Sequence, residues 1–133
     1  MTQTSEQRRA DCAFELVQAV RSERWKDDYG RFAHKLPILI RTCGPVAALE
    51  FLRTRDKDEG AHALLTHLAR QLRKANLLAP DKDSIGGLLE RVRKAPLADY
   101  IRLTRELLAT LNWHKRLSVS LLGVKAGDEG DRS

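Results

Sequence analysis

Cysteine, proline and aromatic residues are scarce in this chain of 133 residues, which has two Cys, four Pro and 5% aromatic side chains. Two cysteines cannot form a disulfide scaffold, and no CxxC pair is present to begin a zinc site. So few rings exclude a base-stacking surface of the single-strand-binding kind. No apolar run approaches the ~20 residues that a bilayer span needs. The opening stretch MTQTSEQRRAD lacks the apolar core of a secretion signal, so a soluble, cytoplasmic protein is expected. Branched aliphatics are scarce too: Val and Ile number 10 against 36 Leu and Ala. Leu and Ala lose little entropy in a helix and β-branched residues lose more, so the composition predicts an all-α fold.

What is present is 42% hydrophobic and 32% charged, enough to bury one core at a length that suits one domain. Six helical segments are predicted. The first spans about Ser5 to Lys26, with Ser5 as cap and Ala10, Ala13, Phe14, Val17 and Val20 on one face. The second runs from Asp28 to Thr42, its stripe made by Tyr29, Phe32, Ala33, Leu36, Leu39, Ile40 and Cys43. Pro37 removes a backbone donor within it and predicts a kink or a split near Lys35. Gly44-Pro45 reads as a stop followed by a start, opening a third helix to Arg55. A fourth, Glu59 to Ala75, repeats Leu and Ala with a clean period of 3.6. A fifth, Ile85 to Ala95, starts weakly at Gly86-Gly87. The longest follows, from Pro96 to Leu122. The domain is thus a compact bundle over 1–123, with a polar tail over 124–133 that is expected to fray.

No GxxxxGK[ST], GxSxG, HExxH or GxGxxG occurs in a supporting context, so no catalytic constellation is predicted. His34, His62, His67 and His114 show no metal-ligand spacing and read as solvated or hydrogen-bonded helix histidines, so no metal and no cofactor are expected. Cys12 and Cys43 read as small buried apolar residues. Asp27-Asp28 reads as a helix junction with Asp28 as cap, since adjacent residues on a helix do not face each other.

The formal net charge is +6, and 16 of the 24 cations are Arg, which suits bidentate phosphate contact. On the last helix Arg102, Arg105, Asn112 and Arg116 fall in one stripe opposite the leucines, with Lys115 nearby. Such a row can follow phosphates without reading sequence. Glu106 beside Arg102 favours the plainer reading of a solvated face. Trp113 projects about 120° from the centre of the apolar face, which suits either stacking or a helix buried on more than one side, and the second is favoured. Trp25 reads as packing at the core edge. The second helix carries Arg31, His34, Lys35 and Arg41 on one polar face, which would extend the basic surface if the two helices are neighbours. Arg8, Arg21 and Arg24, interleaved with Glu15 and Glu23, read as ordinary mixed-charge surface.

Two stretches carry a family likeness. Tyr29 to Gly44 holds Lys35-Leu36-Pro37-Ile38-Leu39-Ile40, and Tyr100 to Leu117 holds Tyr100, Thr104-Arg105-Glu106, Trp113 and Lys115-Arg116. With the intervening Leu49-Glu50-Phe51-Leu52, this order resembles the small subunit of the Cmr complex, a type III-B CRISPR effector. The likeness covers nearly the whole chain, although 53–94 matches only in pattern. It implies an all-helical protein without enzymatic activity and with no small-molecule substrate. Its copies stack as a filament against backbone subunits that hold guide RNA, and its basic surface lines the target-RNA channel. Carried onto this chain, the resemblance implies RNA contacts from Lys35, Arg41, Arg105, Lys115 and Arg116, joined by pattern by Arg31 and Arg102. The alternative is a freestanding helical nucleic-acid-binding regulator. The apolar start Pro45-Val46-Ala47-Ala48 does not suit a recognition helix, which presents polar and basic side chains at its N-terminal end.

Overall fold

The chain enters its first helix through a capping box. Thr4 accepts from the Gln7 backbone N–H at 3.0 Å, and the Gln7 side chain accepts in return from the Thr4 N–H at 2.8 Å. The cap is therefore Thr4, one residue before the Ser5 expected. The computed structural model describes residues 2–55 and 57–125, and all the regular structure among them is helical. The helices are α1 (Ser5–Val20), α2 (Lys26–Cys43), α3 (Pro45–Arg53), α4 (Glu59–Lys74), α5 (Ile85–Lys94) and α6 (Leu97–Leu117). A π turn, Ser118–Leu122, prolongs α6, and a 3-10 turn, Pro80–Lys82, precedes α5. The predicted all-α bundle with a long C-terminal helix is the fold observed.

Helix α2 packs on α3, α4 and α6, and α6 also packs on α1 and α4. The two helices with basic faces are therefore neighbours. Their common core is leucine-rich: Leu36, Leu49, Leu64, Leu68, Leu72, Leu103, Leu107 and Leu111 are all essentially inaccessible. Trp25 caps this core from its edge, half-buried, with its ring 6.4 Å from Tyr29.

Several boundaries differ from the sequence reading, each for a local reason. Helix α1 stops at Val20 rather than Lys26, because the next positions facing the core would be Glu23 and Arg24. Asp28 lies inside α2 and pairs with Arg31, so it is no cap. Pro37 does not split α2; it is buried in a continuous helix, where packing against three other helices offsets the lost hydrogen bond. Cys43 is exposed, because it ends α2 where Gly44 turns the chain, at φ +87°, into α3. Helix α4 closes with a Schellman motif: Asn76 is left-handed (φ 62°), and the Leu77 N–H reaches the Leu72 carbonyl at 2.9 Å. Val124, expected to fray, is buried, because the left-handed Gly123 turns it back onto Gly30. The rest of the predicted tail, from 126, lies outside the described residues.

The pair Gly86-Gly87 divides in role. A Cβ on Gly87 would collide with the Lys82 carbonyl, whereas one on Gly86 would meet nothing within 4 Å. Likewise a Cβ on Gly60 would lie 2.7 Å from the Tyr29 backbone nitrogen, where α4 crosses α2. Gly86→Ala should therefore stabilise the protein by about 0.5–1 kcal/mol. Gly60→Ala should destabilise it by about 1–3 kcal/mol. Urea denaturation of the two variants beside the parent chain checks both signs.

Candidate nucleic-acid interface

The arrangement of charge on α6 is set by one ion pair to α1. Arg9 meets Glu106 in a two-pronged contact, Nε to Oε2 at 2.8 Å and Nη2 to Oε1 at 2.9 Å. Both side chains are largely buried, and the Thr110 hydroxyl adds a bond to Glu106 Oε2 at 3.3 Å. The hydrogen bond from Glu106 raises the Arg9 pKa above its ordinary value, against the effect of burial. Glu106 is thus committed to Arg9, so its place beside Arg102 in sequence does not pair it with that residue. Arg102 and Arg105 are exposed and line a cleft of about 430 Å³ together with Arg8, Arg9 and Ser5 of α1.

The other predicted residues are dispersed. Arg116 is exposed and lies 5.7 Å from the Trp113 ring centroid; Lys115 is half-buried. Trp113 is half-buried in an open groove beside Phe14 and Ala10 of α1, so α6 is covered on this side as well. On α2, Arg41 is exposed in the last turn. Lys35 is half-buried with its ammonium 5.3 Å from the Phe51 ring centroid on α3. Arg31 is half-buried against Asp28, and His34 Nε2 lies 2.9 Å from the Val124 carbonyl. The cleft therefore brings together Arg102 and Arg105, but not the α2 residues. Sequence reasoning missed its α1 side, since Arg8 read as mixed-charge surface. One signal was there: Arg9 lies four residues before Ala13 and eight before Val17, on the buried stripe, where a cation needs a carboxylate.

Beneath this surface runs a buried polar chain. The Tyr29 hydroxyl lies 2.8 Å from His67 Nδ1 and 2.8 Å from His114 Nδ1. His114 Nε2 meets Gln71 Oε1, and Gln71 Nε2 donates to the Arg9 carbonyl at 3.3 Å. One proton order satisfies every one of these contacts. Gln71 Oε1 only accepts, so His114 carries its proton on Nε2 and its Nδ1 accepts from Tyr29. The Tyr29 oxygen then accepts from a protonated His67 Nδ1. Burial pushes His67 down to about 4, helped by the charge of Arg70. Burial likewise pushes His114 down to about 3, helped by His67. His114 is a core histidine and His67 a half-buried one at the core edge, roles the sequence reading did not assign them individually. Among the described residues, no group of three or more His, Cys, Asp or Glu is placed to hold a metal ion.

The family model described as "CRISPR-associated protein (Cas_Cmr5)" matches residues 5–121. The chain belongs to the Cmr5 family. A curated relative from Thermus thermophilus, named "CRISPR system Cmr subunit Cmr5", is 37% identical over 114 residues, covering 85% of this chain and 91% of that protein. The crystal structure of a CRISPR-associated Cmr5 family protein from the same organism superposes with a TM-score of 0.78 at 34% identity, covering 90% of this chain and 98% of the other. The span matched by the Cmr5 model contains every member of the polar chain and all the residues lining the arginine cleft.

The polar chain has two measurable consequences. Tyr29→Phe leaves His67 Nδ1 and His114 Nδ1 without partners, and should cost about 1–3 kcal/mol at pH 7.5 by chemical denaturation. Both histidines are neutral when folded and titrate near 6.5 when unfolded. Stability should therefore be fully present above pH 6.5. As the pH falls below that value it should decline by about 1.4 kcal/mol per pH unit for each histidine, down to the folded values near 4 and 3. A series of denaturation curves from pH 8 to pH 4.5 reads that slope.

Proposed function

We propose that this chain is the small, non-catalytic subunit of a type III-B CRISPR Cmr complex, acting in antiviral defence in the cytoplasm. Copies stack as a filament beside backbone subunits that carry guide RNA, and their basic helix faces line the target-RNA channel. The membership of the Cmr5 family and the relative's name as a Cmr subunit support the setting. The observation that carries the RNA contact is the removal of Glu106 by Arg9, which leaves Arg102 and Arg105 exposed without a carboxylate partner among the described residues. Guide–target pairing supplies sequence specificity in such a complex, so the protein needs only contacts to the phosphate backbone. Weak contacts on adjacent copies then act together through effective concentration. Cleavage falls to other subunits.

The half-buried Arg31, Lys35 and Lys115 have a smaller share in this reading than the sequence suggested, since Arg31 and Lys35 are engaged within the fold. A freestanding helix-turn-helix regulator gains nothing from the structure, because Pro45, Ala48 and Leu49 at the start of α3 are buried.

The test is a reconstituted complex containing a chain with Arg41, Arg102, Arg105 and Arg116 each replaced by Glu. These side chains are exposed, so the melting temperature should stay within about 2 °C of the parent, as for surface changes in general. Target-RNA affinity at moderate salt should fall by about tenfold or more, with a shallower dependence on salt. Undiminished RNA binding by a particle that contains the variant would overturn the channel reading. A chain that joins no guide-RNA particle would overturn the assembly.

A further inference from the structure

We propose that the cleft between α1 and α6 is a binding site for a phosphate group that carries more than one negative charge, either a terminal phosphate on a nucleic-acid strand or a free diphosphate. The inference goes beyond the channel reading and does not depend on it, since it concerns the chain alone. Its basis is a local imbalance of charge. Arg8, Arg9, Arg102 and Arg105 all line the same cavity of about 430 Å³, and the carboxylate that lines it, Glu106, is held by both prongs of Arg9. Arg8, Arg102 and Arg105 have no ion-pair partner among the described residues. Glu6, whose field reaches Arg9, is exposed and does not line the cleft.

Arg8, Arg102 and Arg105, which line this cleft, remain charged at any physiological pH. Their mutual repulsion is not relieved by any side chain described in the cleft. A phosphodiester carries one negative charge and leaves two of the three uncompensated. A terminal phosphate carries about 1.5 to 2 negative charges at pH 7 and offers three acceptor oxygens, enough for one from each arginine. The placement also sets the cleft apart from the rest of the α6 face. Beyond Arg105 the same face continues through Ala109 and Asn112, and the next arginine, Arg116, lies over Trp113. Arg102 and Arg116 are separated by about 21 Å of helix rise. The charge is therefore gathered at one point, with Arg8 supplied across the cleft from a second helix.

The full chain is titrated with three probes: inorganic pyrophosphate, a short single-stranded RNA with a 5′-phosphate, and the same RNA with a 5′-hydroxyl. Backbone amide shifts and calorimetry are the readouts. Pyrophosphate should bind with shifts centred on the segments around Arg8, Arg102 and Arg105. The 5′-phosphorylated RNA should bind about tenfold more tightly than its 5′-hydroxyl twin, the value of one charge-assisted contact set. Binding of pyrophosphate alone assigns the site to free diphosphate, and a preference between the RNAs alone assigns it to a strand end; either supports the proposal. The double variant Arg8→Gln/Arg105→Gln should lose the response. Arg93→Gln, exposed on α5, should keep it. If the double variant unfolds, the single changes at the exposed Arg102 and Arg105 each should weaken binding by about tenfold. Absence of pyrophosphate binding together with equal affinity for the two RNAs overturns the proposal, as does binding that survives loss of the arginines. Neither result bears on target-RNA binding by the assembled particle, which is read with the four-site charge reversal.

Discussion

The placement of the helices turns on the hydroxyl of Tyr29. It has one proton to give and stands between two imidazole nitrogens, each 2.8 Å away. Because His114 Nε2–H is committed to Gln71 Oε1, only one tautomer of each histidine lets the hydroxyl serve both. That requirement ties α2, which carries Tyr29, to α4 through His67 and to α6 through His114. Gln71 then extends the tie to the backbone of α1 at Arg9. Four helices are thereby held in a fixed register by groups that tolerate little sliding. The surrounding leucines supply most of the apolar burial, but leucine layers pack acceptably in many offsets. A chain of matched polar contacts in the interior has far fewer acceptable offsets, because a displacement leaves polar atoms bare at low dielectric.

The same tie reaches the surface. Arg9 presents its carbonyl to Gln71 and its guanidinium to Glu106 on α6. The register set in the core thus determines which carboxylate α1 can reach. Because that carboxylate is Glu106, the arginines one turn before it and beside it on α6 line the cleft with Arg8 and have no carboxylate partner among the described residues. The basic character of the cleft is in this sense a product of the interior. Other ion pairs include exposed ones between near neighbours, such as Arg53 with Glu50 and Lys94 with Glu90. Those pairs contribute little to stability and leave no local excess of charge.

The repeating patterns were legible in the sequence. Leu64, Leu65, Leu68 and Leu72 declare α4 by their spacing, and the same periodicity brings out the buried Leu103, Leu107 and Leu111 of α6. Features that depend on a distant partner were not. Pro37 carries a local penalty that a single-helix view cannot see offset by three neighbouring helices. Val124 looks like tail until Gly30, far away in sequence, offers a place without a side chain for it to fill. His114 occurs seven residues after Leu107 on the buried stripe, so its burial could have been read from period alone. Its partners could not, since Tyr29 and Gln71 lie on other helices. Glu106 was misread for the same reason: its near neighbour Arg102 is visible in sequence, whereas Arg9 lies 97 residues away.

Net charge is accordingly a poor guide to where this molecule can meet an anion. An excess of six charges over 133 residues is modest, and much of the cationic surface is already answered: Arg9, Arg24, Arg31, Arg53, Arg73, Arg91 and Lys94 all have carboxylate partners. What remains is concentrated by subtraction. At physiological salt, charges farther apart than about 8 Å are largely screened from one another, so a scattered excess produces little attraction at any point. Several unanswered guanidiniums lining one cleft escape that dilution. The attraction felt by a phosphate is therefore governed less by how many arginines the chain contains than by where its carboxylates have gone.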